Sequence, residues 1–138
     1  MQMLHVMTKH PETIGPGDLL LQAKEMMDAG GFRRLTVVDG GRVIGIITER
    51  DLREHGGYLN STKVDVAMKA PVLTVDSHTS IEEAARMMLA KKIGGMPVVD
   101  AGKLVGIVTT SDMLSALLSV IDTAQKALSH NGKVIRDQ

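Results

Sequence analysis

The sequence predicts an α/β (α+β) fold: two β-α-β-β-α units related by a pseudo-two-fold axis, with their sheets packed face to face. Three observations point there. The chain matches itself without a gap when shifted by 61 residues. In each half a helical stretch with one apolar face precedes two short β-branched runs around a glycine turn. Finally, 138 residues at 43% hydrophobic and 23% charged suit one compact domain, or two small units sharing a core.

The repeat decides the architecture. His5–Arg53 falls on Val66–Leu114, and 14 of those 49 positions are identical. The strongest stretch sets Val37–Thr48 on Val98–Thr109, with Val-Val-Asp, Gly and Thr in the same places. Composition alone does not produce such a match, so the unit is duplicated. The units are expected over 1–57 and 66–122, joined by a polar linker at 58–65, with 123–138 as helix end and tail. One unit of ~50 residues is marginal alone, so the two should bury surface against each other.

Each unit is expected to open on a short extended piece, Glu12–Ile14 or Val72–Val75. Asp18 and Thr79 then align as N-caps, and Thr79 with Glu82 has capping-box spacing. Helices should follow over Leu19–Ala29 and Ser80–Lys92, burying Leu20, Ala23, Met26 and Met27 and their matches Ile81, Ala84, Met87 and Met88. Gly30-Gly31 and Gly94-Gly95 follow them. The strand pairs Leu35–Val38 with Arg42–Ile47, and Met96–Val99 with Lys103–Val108, are almost wholly apolar, which fits burial on both faces. Asp39-Gly40-Gly41 and Asp100-Ala101-Gly102 are their hairpin connectors. Last helices are expected at Arg50–His55 and Ser111–Leu128. Asn131–Gln138 reads as a frayed tail.

Composition excludes several functions. Sixteen basic residues balance sixteen acidic ones, and Phe32 and Tyr58 are the only aromatics. A nucleic-acid binder would be expected to show a basic excess or a stacking platform. The absence of cysteine removes disulfides, thiolate metal sites and cysteine nucleophiles. No apolar run approaches the roughly 20 residues of a bilayer span, and Met1–His10 is too polar for a signal peptide. The expectation is a cytoplasmic chain with no membrane insertion.

Five histidines share no metal-ligand spacing. Ten methionines suggest copper only at first sight. Six of them pair across the repeat (Met7, Met26, Met27, Met68, Met87 and Met88), five or all of them in helical stretches, which is core filling. Gly15-Pro16-Gly17 begins like a dinucleotide fingerprint but lacks its third glycine, and reads as a turn. No serine sits in a nucleophile elbow, so no catalytic residue, metal or cofactor is expected.

The chemistry concentrates in Gly45-Ile46-Ile47-Thr48-Glu49-Arg50-Asp51 and its match Gly106-Ile107-Val108-Thr109-Thr110-Ser111-Asp112. Each is a buried strand that ends in threonine and opens a helix three residues before an aspartate. One reading is capping, with Thr at the N-cap and Asp at N3. The other is that hydroxyl and helix-start amides meet a phosphate while the carboxylate accepts from a ribose diol. The glycine would then let the ligand approach the strand closely.

The doubled pattern, Val-Val-Asp, turn, Gly-apolar-apolar-Thr-x-x-Asp, resembles a tandem pair of CBS domains, the Bateman module, over roughly residues 4–122. The resemblance implies two clefts between the repeats that bind adenosine compounds: AMP, ADP, ATP or S-adenosylmethionine. It also implies a regulatory role toward an enzyme or transporter in trans, and a homodimer.

Carried over by position, the first cleft takes Thr48 and Arg50 to phosphate and Asp51 to ribose, with Pro71, Val72 and Leu73 along the base. The second takes Thr109 and Ser111 to phosphate and Asp112 to ribose, with Pro11, Glu12 and Thr13 along the base. Arg33 and Arg34 should face the second cleft, which would then hold polyphosphate better; as a pair they also fit a solvated surface. Gly94-Gly95 leaves the first cleft without that pair of charges. The competing class is a ligand-free structural or dimerisation module. For that class, or for a dimer, the apolar face of Ser115–Leu128 is the contact surface.

Overall fold

The computed structural model describes residues 1–130; the tail expected at Asn131–Gln138 lies outside the described residues. The elements run α1 (Met3–Val6), β1 (Thr8–Lys9), β2 (Thr13–Ile14), α2 (Leu20–Gly30), β3 (Arg34–Asp39), β4 (Arg42–Thr48), α3 (Glu49–Glu54), α4 (Val64–Ala67), α5 (Ile81–Lys91), β5 (Gly95–Asp100), β6 (Lys103–Thr109) and α6 (Thr110–His130). Two three-stranded sheets result, ordered β2-β3-β4 and β1-β6-β5, and they meet along β4 and β6.

The hairpins are copies of one another. Asp39 pairs with Arg42 and Asp100 with Lys103 across two-residue turns, and each ladder carries a bulge one residue after Val37 or Val98. Gly40, Gly41 and Gly102 supply the positive φ that such turns require, whereas Ala101 adopts φ 49° with a side chain. Leu35–Val37 and Met96–Val98 are buried throughout, as their apolar runs require.

The helix caps fall one residue later than the spacing suggests. Ser80 caps α5, its hydroxyl accepting from Glu83 N at 3.1 Å. Thr79 instead accepts from Asp76 N at 3.2 Å, tightening the preceding turn. Asp18 does the equivalent at Gly15 N, 2.9 Å away, and Leu19 takes the N-cap position with Gln22 accepting from its amide.

The two units interlock, which the sequence reading did not anticipate. Met3 is fully buried in the core of the second unit, beside Val75, Met88 and Met96. Its counterpart 61 positions on, Val64, is fully buried in the core of the first, beside Leu20, Leu35 and Ile47. Matching backbone bonds hold both segments: Met3 N to Thr79 O and Val64 N to Asp18 O, each 2.8 Å. The following residues then join the other unit's sheet. β1 pairs with β6, Thr8 opposite Ile107, while Lys69 bridges Ile46. Residues taken as a polar terminus and a linker are therefore structural in both cores.

Gly45 and Gly106 explain how the segments fit. A Cβ on Gly106 would lie 2.6 Å from Met7 Sδ and 2.9 Å from Thr8 O; one on Gly45 would meet Met68 and lie 3.0 Å from Lys69 O. These glycines admit a protein segment, not the ligand expected from sequence. Met7 and Met68 are not helical either: they cap α1 and α4 in extended conformation and lie on those glycines.

Between the cores lies a thin buried layer. Thr36, Ile46, Pro97 and Ile107 are buried yet belong to neither core cluster. The Thr36 hydroxyl is buried without a hydrogen-bond partner. Valine keeps the shape and removes the unsatisfied group. Thr36→Val is expected to stabilise the fold by about 1 kcal/mol in urea unfolding; a loss of stability would show that the hydroxyl has a partner.

Candidate functional site: two related clefts

The interlock builds two clefts, each walled by the end of one unit's last strand and by the segment that precedes the other unit's helix. The first holds about 740 Å³, and Thr48, Arg50, Pro71, Val72 and Leu73 all line it. The second holds about 800 Å³ and is lined by Thr109, Ser111, Pro11 and Glu12. Both lie in the range of small-molecule sites. Thr13 does not reach the second cleft: it is strand β2, opposite Thr36 in the ladder. Residues missed from sequence include Lys69, Lys92 and Ile46 in the first cleft, and Thr8, His10 and Ile107 in the second. Lys69 and Thr8 were invisible because only the interlock brings them there.

The aspartates stand behind the threonines and off the cleft lining. Asp51 Oδ2 accepts from Thr48 N and from Thr48 Oγ1, both at 2.9 Å, and Thr48 Oγ1 accepts from Asp51 N at 3.3 Å. The second unit repeats this: Asp112 Oδ2 accepts from Thr109 N at 2.8 Å and from Thr109 Oγ1 at 3.1 Å. The capping geometry is thus present in full. Other helix-start amides are also occupied, Glu49 N by Arg33 O at 2.8 Å and Thr110 N by Gly94 O at 3.0 Å. An anion in either cleft would find the first and third amides of the helix taken, leaving that of Arg50 or Ser111 and the side-chain cations.

The two aspartates differ in their outer surroundings. Asp51 is 1% exposed, and its Oδ1 faces Lys69 Nζ at 3.0 Å as an ion pair. The hydrogen bond and charge of Asp51 raise the Lys69 pKa above the ordinary lysine value. Thr8 occupies the equivalent place in the second cleft, and among the described residues no cation lies within ion-pair distance of Asp112. Asp112 is thereby the freer acceptor for a diol.

The charge is distributed in the reverse of the sequence expectation. Arg33 and Arg34 line both clefts, not the second alone. The first cleft adds Arg50, Arg53, Lys69 and Lys92, against Glu49 as its one lining carboxylate. Several of these are paired: Arg53 with Glu49 at 3.0 Å, Arg33 with Glu49 and Arg50 with Glu54 at 3.8 Å. Even so, polyphosphate meets more positive charge there than in the second cleft, where His10 joins the arginines and Glu12 opposes them.

The family model described as "CBS domain" matches residues 4–57 and again 63–119. The chain is a tandem CBS-domain protein. A CBS domain-containing protein of Dictyostelium discoideum is 35% identical over 132 residues, covering 85% of this chain and 91% of that one. Two solved CBS-pair structures are similar at a TM-score of 0.78. CBSX2, solved in complex with AMP, is 28% identical and the match covers 86% of this chain and 97% of that chain. The CBS pair of protein MJ0100, in complex with 5′-methylthioadenosine and S-adenosyl-L-methionine, is 27% identical with 86% and 96% covered.

In this CBS pair no helix among the described residues is long and apolar enough to cross a membrane. Nor do three potential metal ligands gather among them. An apolar groove of about 560 Å³ runs between α5 and α6, floored by Met88, Ile93 and Met113. Beside it Leu89, Leu114, Leu117, Leu118 and Val120 are more than half exposed.

Proposed function

We propose that this CBS pair is a regulatory module that binds an adenosine compound, of the AMP, ADP, ATP or S-adenosylmethionine type, in its two clefts, without catalysis. The observation that carries this reading is the duplicated cleft. Each combines a Thr-x-x-Asp helix start from one unit with a proline-bearing segment from the other, at a volume that accommodates a nucleotide. Adenosine ligands in two similar CBS pairs support it.

Asp112, reached past Thr109, and Asp51, once Lys69 leaves its Oδ1, would accept from the ribose hydroxyls, the threonine hydroxyls and arginines would hold phosphate, and Pro71–Leu73 or Pro11–Glu12 would flank the base. Because each cleft takes walls from both units, a ligand that prefers one spacing of the units shifts the population toward it. The cation count favours polyphosphate in the first cleft, and Asp112, without a cation partner among the described residues, favours a less charged adenosyl ligand in the second. The exposed leucines beside the α5–α6 groove would pair two copies into a homodimer, the form that signals to an enzyme or transporter in trans.

A second reading has its own observation. The Thr48–Asp51 and Thr109–Asp112 bonds cap the helix starts, as they would in a ligand-free structural module. Thermal melting separates the two. A ligand at a hundredfold excess over its Kd stabilises the native state by about 2.7 kcal/mol. An upward shift with AMP or S-adenosylmethionine, and none with guanosine, supports the sensor; no shift with any adenosine compound supports the structural module.

A further inference from the structure

We infer that Arg34 is shared between the two clefts, so that a phosphate bound in one withdraws this guanidinium from the other and the sites bind anticooperatively. The inference rests on the clefts taking phosphate-bearing ligands, as proposed above. It starts from position. Arg34 and Gly95 are equivalent residues of the two units, 61 apart, and they touch: a Cβ on Gly95 would lie 2.9 Å from Arg34 Cδ. A residue packed on its own repeat counterpart sits at the pseudo-two-fold axis. From there the side chain lines both clefts.

The seat is built for one guanidinium. Nη1 donates to Gly94 O at 3.1 Å, and a Cβ on Gly94 would come within 2.8 Å of Nη2. Neither Gly94 nor Gly95 has the positive φ that would demand glycine for the backbone. Space for Arg34 is what they provide. Where the first unit has arginine, the second has the bed on which that arginine lies, so two related clefts have a single half-buried cation at their junction. Arg33, the other residue common to both, is 84% exposed at its side chain and turned toward Glu49. Burial, and then the Arg33 charge, lower the Arg34 pKa from its ordinary value, a sign that its charge is poorly solvated. With Nη1 already donating to Gly94 O, a bidentate grip on a phosphate in one cleft leaves few of its donors for the other. Two dianions converging on one cation also repel each other.

The test is calorimetry with AMP and with uncharged adenosine as probes. Asp51→Asn and Asp112→Ala each leave one cleft working and supply its intrinsic affinity, the single oxygen of the asparagine staying on Thr48 N and its amide offering a diol no acceptor; Asp51→Ala checks the asparagine result. In the wild-type protein the second AMP is expected to bind at least about fivefold more weakly than those intrinsic values combine to give, the low end of ordinary coupling between sites. In Arg34→Ala both affinities fall and the coupling disappears. Gly94→Ala, which displaces the guanidinium without removing its charge, should likewise abolish the coupling. With adenosine no coupling is expected in any form. A wild-type isotherm equal to the sum of the single-cleft isotherms, or coupling that survives Arg34→Ala, overturns the inference while leaving the sensor intact. Absence of heat with every ligand refutes the sensor itself, and this inference with it.

Discussion

Asp112→Ala is expected to weaken adenosine-ligand binding in the second cleft by about 10- to 100-fold, the value of hydrogen bonds to a charged acceptor. Its cost in stability should be about 1 kcal/mol, from the lost charge at the start of α6 and from Thr109 N losing an acceptor that water can replace at this half-buried site. Asp51→Ala should remove binding in the first cleft but cost more stability, about 1–3 kcal/mol, because a buried acceptor is lost. Thr48 N would lose its acceptor and Lys69 its counter-charge. Asp51→Asn keeps the shape and the acceptor oxygen while removing the charge, so it should recover most of the stability. Titration and urea unfolding of the three variants measure both effects. Loss of stability without loss of binding would leave the aspartates as caps alone.

Gly45→Val and Gly106→Val should be the most destabilising substitutions, at about 3 kcal/mol each from overpacking. The methionine side chains could move aside from a new Cβ, but the carbonyls of Lys69 and Thr8, at 3.0 and 2.9 Å, belong to backbone paired with β4 and β6. The inserted segment would have to leave its place. Since that segment carries Lys69 into the first cleft and Thr8 into the second, each valine should also impair its own cleft. Urea unfolding and titration of each variant check this. Stability within about 1 kcal/mol of wild type would mean that the segments are not held against these glycines.

The hairpins, helices α2, α3, α5 and α6, and the Thr-x-x-Asp corners were legible because each is local. Strand apolarity, turn glycines and helical spacing lie within a few residues of one another, and the 61-residue repeat confirmed them twice over. The caps were displaced by one residue because Asp18 and Thr79 bond back into their turns, a competition that spacing does not reveal. The interlock was not legible. Met3 and Val64 sit in short, mostly polar segments, and nothing local says that each belongs to the other unit's core. The faint signal was the repeat register itself, which continues from His5 and Val66 back to Met3 and Val64.

The same gap explains the clefts. Thr48, Arg50, Pro71, Val72 and Leu73 converge as expected because motif and repeat together imply them. Lys69 and the double exposure of Arg34 depend on which segments cross. Hence the charge balance between the sites was read in reverse. Two adjacent arginines before β3 read as serving one cleft, whereas the opposing glycines let Arg34 lie on the axis between both.

Binding of an adenosine compound in the clefts is the central claim, and calorimetric titration of the wild-type chain tests it most directly. AMP, ATP and S-adenosylmethionine would each be titrated beside a guanosine control, and any hit repeated with Asp51→Ala and Asp112→Ala. Saturable heat with at least one adenosine compound, absent with guanosine and lost in one or both variants, is the expected result. No heat with any of the three, from a protein that melts cooperatively, would contradict it. The paired Thr-x-x-Asp corners would then stand as helix caps, and the apolar face of α6 as the working surface.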